Sequence, residues 1–232
     1  MLNRRTVLGT SALAITPLAL PTWAQSSKSA MTLGIVLEPT GLDPTANASS
    51  SIGEITLYNL YETLTKINPD GSVSPLLSES WEVSPDLKTY TFKLRRGVKF
   101  HNGEPFNAHT VKFAFDRAAA EKSTNKDKRT FANISTQVVD EYTVVLLNKE
   151  VDPDFLFLLG QATAIITEPK SADTNATKPV GTGPYVLAGW NKGASITLSQ
   201  YPAHRQVAAI KLKRATFKFI SDPAAQTAAL LS

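Results

Sequence analysis

The 232-residue chain has no cysteine, two methionines and three histidines. Lack of cysteine excludes disulfides, thiolate metal sites and a cysteine nucleophile. It also excludes a lipid-anchored cysteine behind an export signal. His101, His109 and His204 do not stand at the i, i+4 spacing of a helical metal pair, so packing or surface roles are expected and no metal. There is no G-x-S-x-G elbow for a serine nucleophile. Gly181-Thr182-Gly183-Pro184 is no phosphate loop, because Pro184 removes an amide donor and no Gly-Lys-Ser/Thr follows. Charge of one sign is scarce too. The formal balance is +4, too mild to point to a nucleic-acid partner.

Acidic residues are missing from the first 37 positions, where Glu38 is the first. Arg4 and Arg5 open that stretch, Thr6 to Leu20 is apolar or small, and Pro21-Thr22-Trp23-Ala24 closes it. Basic start, apolar run and small residue before a cut is the layout of a secretory signal peptide. The run is shorter than the roughly 20 apolar residues of a membrane span, and Pro17 interrupts it. Residues 1–24 are therefore expected to be cleaved near Ala24, which leaves 22 basic against 20 acidic residues. Asn3-Arg4-Arg5-Thr6-Val7-Leu8 also resembles a twin-arginine export motif, with Val7 at its usual aromatic or Leu position, and both export routes stay open.

Beyond a polar linker at 25–30, apolar periodicity sets out the elements. A strand is expected over Met31 to Leu37, closed by Pro39 and Gly41. Ile52, Ile55, Leu57, Tyr58, Leu60, Tyr61 and Leu64 predict one amphipathic helix. Asn68-Pro69-Asp70-Gly71 is a turn by composition. Strands follow at Ser80 to Val83 and Thr89 to Leu94, where Tyr90, Phe92 and Leu94 alternate with Thr91, Lys93 and Arg95. Lys93, Arg95, Arg96 and Lys99 are then a solvated face rather than a nucleic-acid patch. Asn107 should cap a helix whose apolar side holds Val111, Phe113, Ala114 and Ala118. Glu121 to Arg129 reads as an exposed loop, and Val138-Val139 with Tyr142 to Leu147 as a hairpin. A short helix ends at Leu159, and Asp173 to Lys178 is a polar loop. Strands are expected at Tyr185 to Leu187, Ser195 to Leu198 and Ala215 to Ile220. A last helix from Pro223 stops at Leu231-Ser232 without a glycine or polar exit, so the chain is expected to be incomplete there.

Carboxylates are plentiful, and spacing along the chain says nothing of their separation. Glu38, Glu62 and Glu104 are the candidates for the acid pair of a hydrolase. Asn47-Ala48-Ser49, Asn133-Ile134-Ser135 and Asn175-Ala176-Thr177 match a glycosylation triplet but are read as loop composition behind a bacterial signal.

Four segments resemble one family, the peptide, dipeptide and nickel class of bacterial extracellular solute-binding proteins (family 5). They are Asn59-Leu60-Tyr61-Glu62-Thr63-Leu64; Pro75 through Ser80-Trp81 to Ser84; the block from Asp86 through Tyr90-Thr91-Phe92, Gly97 and Phe100-His101-Asn102-Gly103-Glu104-Pro105-Phe106-Asn107-Ala108 to Val111 and Arg117; and Pro179-Val180-Gly181-Thr182-Gly183-Pro184-Tyr185. His109 departs from the family's usual acid near that helix start, and Tyr201-Pro202-Ala203-His204-Arg205 replaces an aspartate-tyrosine-tryptophan run.

The resemblance implies an α/β, two-lobed, type II periplasmic-binding-protein fold. This chain would hold mainly the first lobe with its extra subdomain, the second lobe being missing, and a truncated fragment without a transport role is the alternative. Residues 31–45 would start the lobe, 46–168 form the inserted subdomain, and 169–232 return to the lobe. It implies a non-enzymatic periplasmic receptor that delivers a peptide or related small solute to an ABC permease in the inner membrane. It would act as a monomer without cofactor. With no lipid anchor, a second membrane must confine it, as in a Gram-negative periplasm. First-lobe contacts follow the Leu42-Asp43-Pro44 motif, at Asn47, Ala48, Ser49 and Ser50. Arg129 could pair with an anionic group of the solute and Phe131 pack on it.

Overall fold

A computed structural model describes residues 29–47 and 49–231, which excludes the expected signal peptide and Ala48. Among the described residues, ten strands make two four-stranded sheets and a small hairpin, accompanied by five α-helices. The strands β1 (Ala30–Ile35), β8 (Tyr185–Asn191), β9 (Ser195–Gln200) and β10 (Arg214–Phe219) form the first sheet, in the order β1-β10-β9-β8. β1 runs parallel to β10 with Leu33 opposite Phe217, and the other pairs are antiparallel. Alternation fixes the inner face. Ile196 and Leu198 are fully buried, as are Ala215 and Phe217 to within 6%.

The second sheet has the order β4 (Ser78–Val83), β5 (Thr89–Leu94), β7 (Thr143–Asn148) and β6 (Ile134–Asp140), all antiparallel. Tyr90, Phe92, Leu94, Val144 and Leu146 point into its core, and α2 (Ala108–Ala119) covers them. Asn107 caps α2 as expected. Its side-chain oxygen accepts from His109 N at 3.0 Å and Thr110 N at 3.2 Å, and Thr110 Oγ1 accepts from Asn107 N. On α2 it is Phe115, not Phe113, that enters the core beside Val111, Ala114 and Ala118. The i, i+4 positions 111 and 115 share the inward face, which 113 does not. Lys93, Arg96 and Lys99 are exposed, Arg96 stacks over Tyr142 at 4.5 Å, and Arg95 donates to the Leu76 carbonyl.

Beyond Phe113, two expected segments change. The helix read from Ile52 to Leu64 is only α1 (Ser50–Thr56). Thr56 O already receives Leu60 N and Tyr61 N, and Tyr58 turns to φ 58°, in the left-handed region. The apolar periodicity is real, since Leu60, Tyr61 and Leu64 are fully buried. Yet the backbone there leaves the helix to bond elsewhere. Asn59 O accepts Tyr185 N and Leu60 O accepts Gly183 N, both at 3.0 Å. The close approach requires glycine: a Cβ on Gly181 would sit 2.0 Å from Leu60 O, and one on Gly183 2.3 Å from Asn59 O.

The expected loop at Glu121 to Arg129 is neither wholly exposed nor wholly loop. α3 (Lys128–Ala132) takes its last two residues. Asn125 is buried and donates to Thr163 O at 2.9 Å, while Thr163 Oγ1 donates to Asp127 Oδ2. The hairpin β2 (Thr65–Ile67) and β3 (Val73–Pro75) turns through Asn68 to Gly71, where Gly71 has φ 82°. α4 (Phe155–Leu158) and α5 (Pro223–Leu231) lie where the pattern put them. No helix among the described residues is long and apolar enough to cross a membrane.

Candidate functional site

The turn after Leu42 is held from within. Asp43, 2% exposed, accepts Thr45 N at 2.9 Å and the Thr45 hydroxyl on one oxygen. Its other oxygen takes Arg117 Nη2 at 3.0 Å, and Arg117 also donates to Thr45 Oγ1 and to Ala172 O. The acid of the Leu-Asp-Pro motif and the arginine of the signature helix are thus one ion pair, buried at Asp43 and half-buried at Arg117. Tyr61 lies close by. Burial, and secondarily the Asp43 charge, push its phenol well above the ordinary tyrosine range.

The pair fixes an open groove of about 240 Å³ lined by Thr45, Ala46, Arg117, Ala120, Lys122, Ser123 and Thr124. Thr124 Oγ1 donates to Ala46 O at 2.7 Å, which joins the loop after α2 to the loop before α1. Asn47, next along, is exposed. Its oxygen accepts Ser49 N at 3.1 Å and its amide donates to Thr40 Oγ1 at 2.9 Å. Ser49 leaves α1 without a side-chain cap, because its hydroxyl bonds Ser51 at 2.8 Å instead. Ser50 is exposed.

Asn47, Ser49 and Ser50 therefore lie on the segment that leads out of the groove. Ala48, expected with them, lies outside the described residues. Arg129 is exposed on α3 and does not line the groove. Phe131 is 1% exposed and packs on Phe115 with ring centroids 5.3 Å apart, so its ring serves the core. Sequence reasoning pointed to the loop after the signature helix but chose Arg129 and Phe131 there, not Lys122, Ser123 and Thr124. Only the contact of two loops far apart in the chain brings them to the site. Arg117 was visible as a motif residue but not as a lining one.

The three carboxylates considered for hydrolysis are each committed. Glu38 accepts Trp190 Nε1 at 2.9 Å and Gly193 N at 3.0 Å, and Glu104 binds Lys170. Glu62 is buried and receives both Arg205 Nη atoms at 2.7 Å. Burial alone would raise the Glu62 carboxyl, but the two hydrogen bonds and the charge of Arg205, with the His204 ring 3.8 Å away, outweigh it, and the net direction is downward. The unexpected His204-Arg205 pair is thus the partner of Glu62. His101 Nδ1 accepts Gly181 N at 3.2 Å and its Nε2 faces Gly183 O at 2.9 Å. Burial lowers its pKa, partly opposed by the bond to Gly183 O and by Glu62. No group of three or more His, Asp or Glu among the described residues could hold a metal.

The model of the family described as bacterial extracellular solute-binding proteins, family 5 middle, matches residues 72–232. The chain belongs to this family. Its members are binding proteins rather than enzymes, and the mixed α/β fold is that of periplasmic binding proteins. The glutathione-binding protein GsiB of Salmonella choleraesuis (strain SC-B67) is 32% identical over 188 residues, covering 79% of this chain and 36% of that protein. The PBP AgaA from A. tumefaciens R10, in complex with agropinic acid, superposes with a TM-score of 0.80 at 29% identity. The match covers 87% of this chain and 42% of that one. MoaA from the same source, in complex with mannopinic acid, gives 0.78 at 27% identity, covering 88% and 43%. The chain thus spans roughly two fifths of the length of these relatives.

Proposed function

We propose that this chain is the first-lobe portion of a periplasmic receptor that presents a small solute or peptide to an ABC permease of the inner membrane. The observation that carries the reading is the groove. The residues after Leu42-Asp43-Pro44 meet the loop after the signature helix there, in a chain of this family. Asn47, Ala48, Ser49 and Ser50 contact the solute from the segment beside it, and Arg129 is the further exposed cation on α3. Residues 46–168 act as an inserted subdomain. In support, the second sheet and the fully buried residues of its core lie between Leu64 and Ile166, whereas all strands of the first sheet lie outside that span. Residues 1–24 direct export and are removed near Ala24, and the receptor works as a monomer without nucleic acid or catalysis. The engaged state of Glu38, Glu62 and Glu104 favours binding over hydrolysis.

A ligand that binds only the folded state raises its melting temperature by mass action. At tenfold excess over Kd the gain is about 1.4 kcal/mol, or about 3–5 °C for a chain of this size. Glutathione, agropinic acid and short peptides are to be tested in turn, with the solute recovered unchanged. A flat melting temperature across all three, or product formation, would sink the receptor reading.

A further inference from the structure

The groove has an uneven charge balance. Arg117 is satisfied from behind by Asp43, Thr45 and Ala172. No acidic residue lines the groove, and among the described residues Lys122 has no hydrogen-bond or ion-pair partner. Beside it the Ser123 oxygen accepts Asn125 N at 3.2 Å, which leaves its O–H free to donate outward. The Thr124 hydroxyl is already spent on Ala46 O. One uncompensated ammonium and one free hydroxyl on a small, open, acid-free wall match a single carboxylate. A phosphate dianion would demand more donors than these two. Glutathione, agropinic acid and mannopinic acid, the solutes named for the relatives, all carry carboxyl groups.

We infer that the groove between residues 45–46 and 120–124 receives a carboxylate of the solute, with Lys122 as its counter-ion and Ser123 as a donor. Arg117 is the positioning residue, because its bonds to Asp43 and Thr45 hold the two walls in register. The inference rests on the receptor reading and adds to it the chemical class of the solute and the residue that selects it.

Amide spectra of the labelled 232-residue chain, titrated separately with glutathione, glutathione diethyl ester, agropinic acid and inorganic phosphate, test it. Glutathione or agropinic acid should shift the amides of Ala46, Ser123 and Thr124 saturably. Lys122→Gln, and esterification of glutathione, should each weaken binding on the order of tenfold, the worth of one charge-assisted hydrogen bond. Lys122 is exposed and unpaired, so the variant spectrum away from the groove should overlay the parent and report a folded chain. Saturable binding untouched by Lys122→Gln, or phosphate binding as tightly as the acids, overturns the carboxylate assignment and leaves the receptor reading standing. Absence of saturable shifts with either acid overturns both.

Discussion

At the residue scale the contacts around His101, Glu62 and Gly181 make sharp demands. His101 accepts a backbone N–H on Nδ1, and a proton placed there would break that bond. Burial holds its pKa below the ordinary 6.5, so the unfolded chain takes up the proton first as pH falls. Stability from this group is therefore complete above about pH 7 and declines through about 6.5 toward the lower folded value. Urea midpoints across that range should fall with pH in the parent and flatten in His101→Asn. A parent curve that is flat would refute the assignment.

Glu62 has the opposite charge and the same direction of loss. Its lowered carboxyl pKa contributes stability above its ordinary 4.5 that disappears as pH falls through the folded value. Glu62→Ala leaves Arg205 without its anion at a half-buried position, and should cost about 3 kcal/mol, the low end for a broken buried pair because Arg205 keeps some solvent. Denaturant unfolding checks the value. Gly181→Ala has no such relief. Its methyl would overlap the backbone carbonyl of Leu60, and a loss of at least about 3 kcal/mol is expected. A variant as stable as the parent would mean that the two segments do not cross as closely as described.

At the scale of elements, α2 is the most self-sufficient piece. The capping box at Asn107 and Thr110 satisfies its first donors, and its buried stripe covers β6 and β7. Asn107→Ala should cost about 1 kcal/mol, measured as a shifted urea midpoint at unchanged m-value. α1 is the contrary case. Its pattern promised a longer helix, but seven residues form before Thr56 O is shared and Tyr58 turns. Periodicity reports which side chains are buried. It cannot report that the main chain must also reach Gly183 and Tyr185. β9 and β10 were legible because alternating apolar residues on a half-buried sheet leave a two-residue signal that no later contact disturbs.

At the scale of the whole molecule, the two cores meet at one crossing. Leu60 and Tyr61 belong to the core of the first sheet and Leu64 to that of the second, while Gly183 and Tyr185 donate to the backbone of the crossing at Leu60 and Asn59. The sheets should therefore unfold together. Trp81 lies in the second sheet and Trp190 in the first, so Trp190→Phe and Trp81→Phe isolate one reporter each, apart from Trp23. Coincident fluorescence midpoints are expected. Separate midpoints would show that the crossing does not couple them.

The sequence by itself determined the family, through four ordered motifs, and most of the strands, the cap at Asn107 and the turn at Gly71. Each of these depends on neighbours within a few residues, where composition and period carry the physics. Tertiary structure decided the rest. It shortened α1, turned Phe115 rather than Phe113 inward, withdrew Phe131 into the core and buried Asn125. It also brought Lys122 and Ser123 beside Ala46, and gave His204 and Arg205 to Glu62. These outcomes rest on contacts between segments up to 143 residues apart, and local pattern has no access to such pairings.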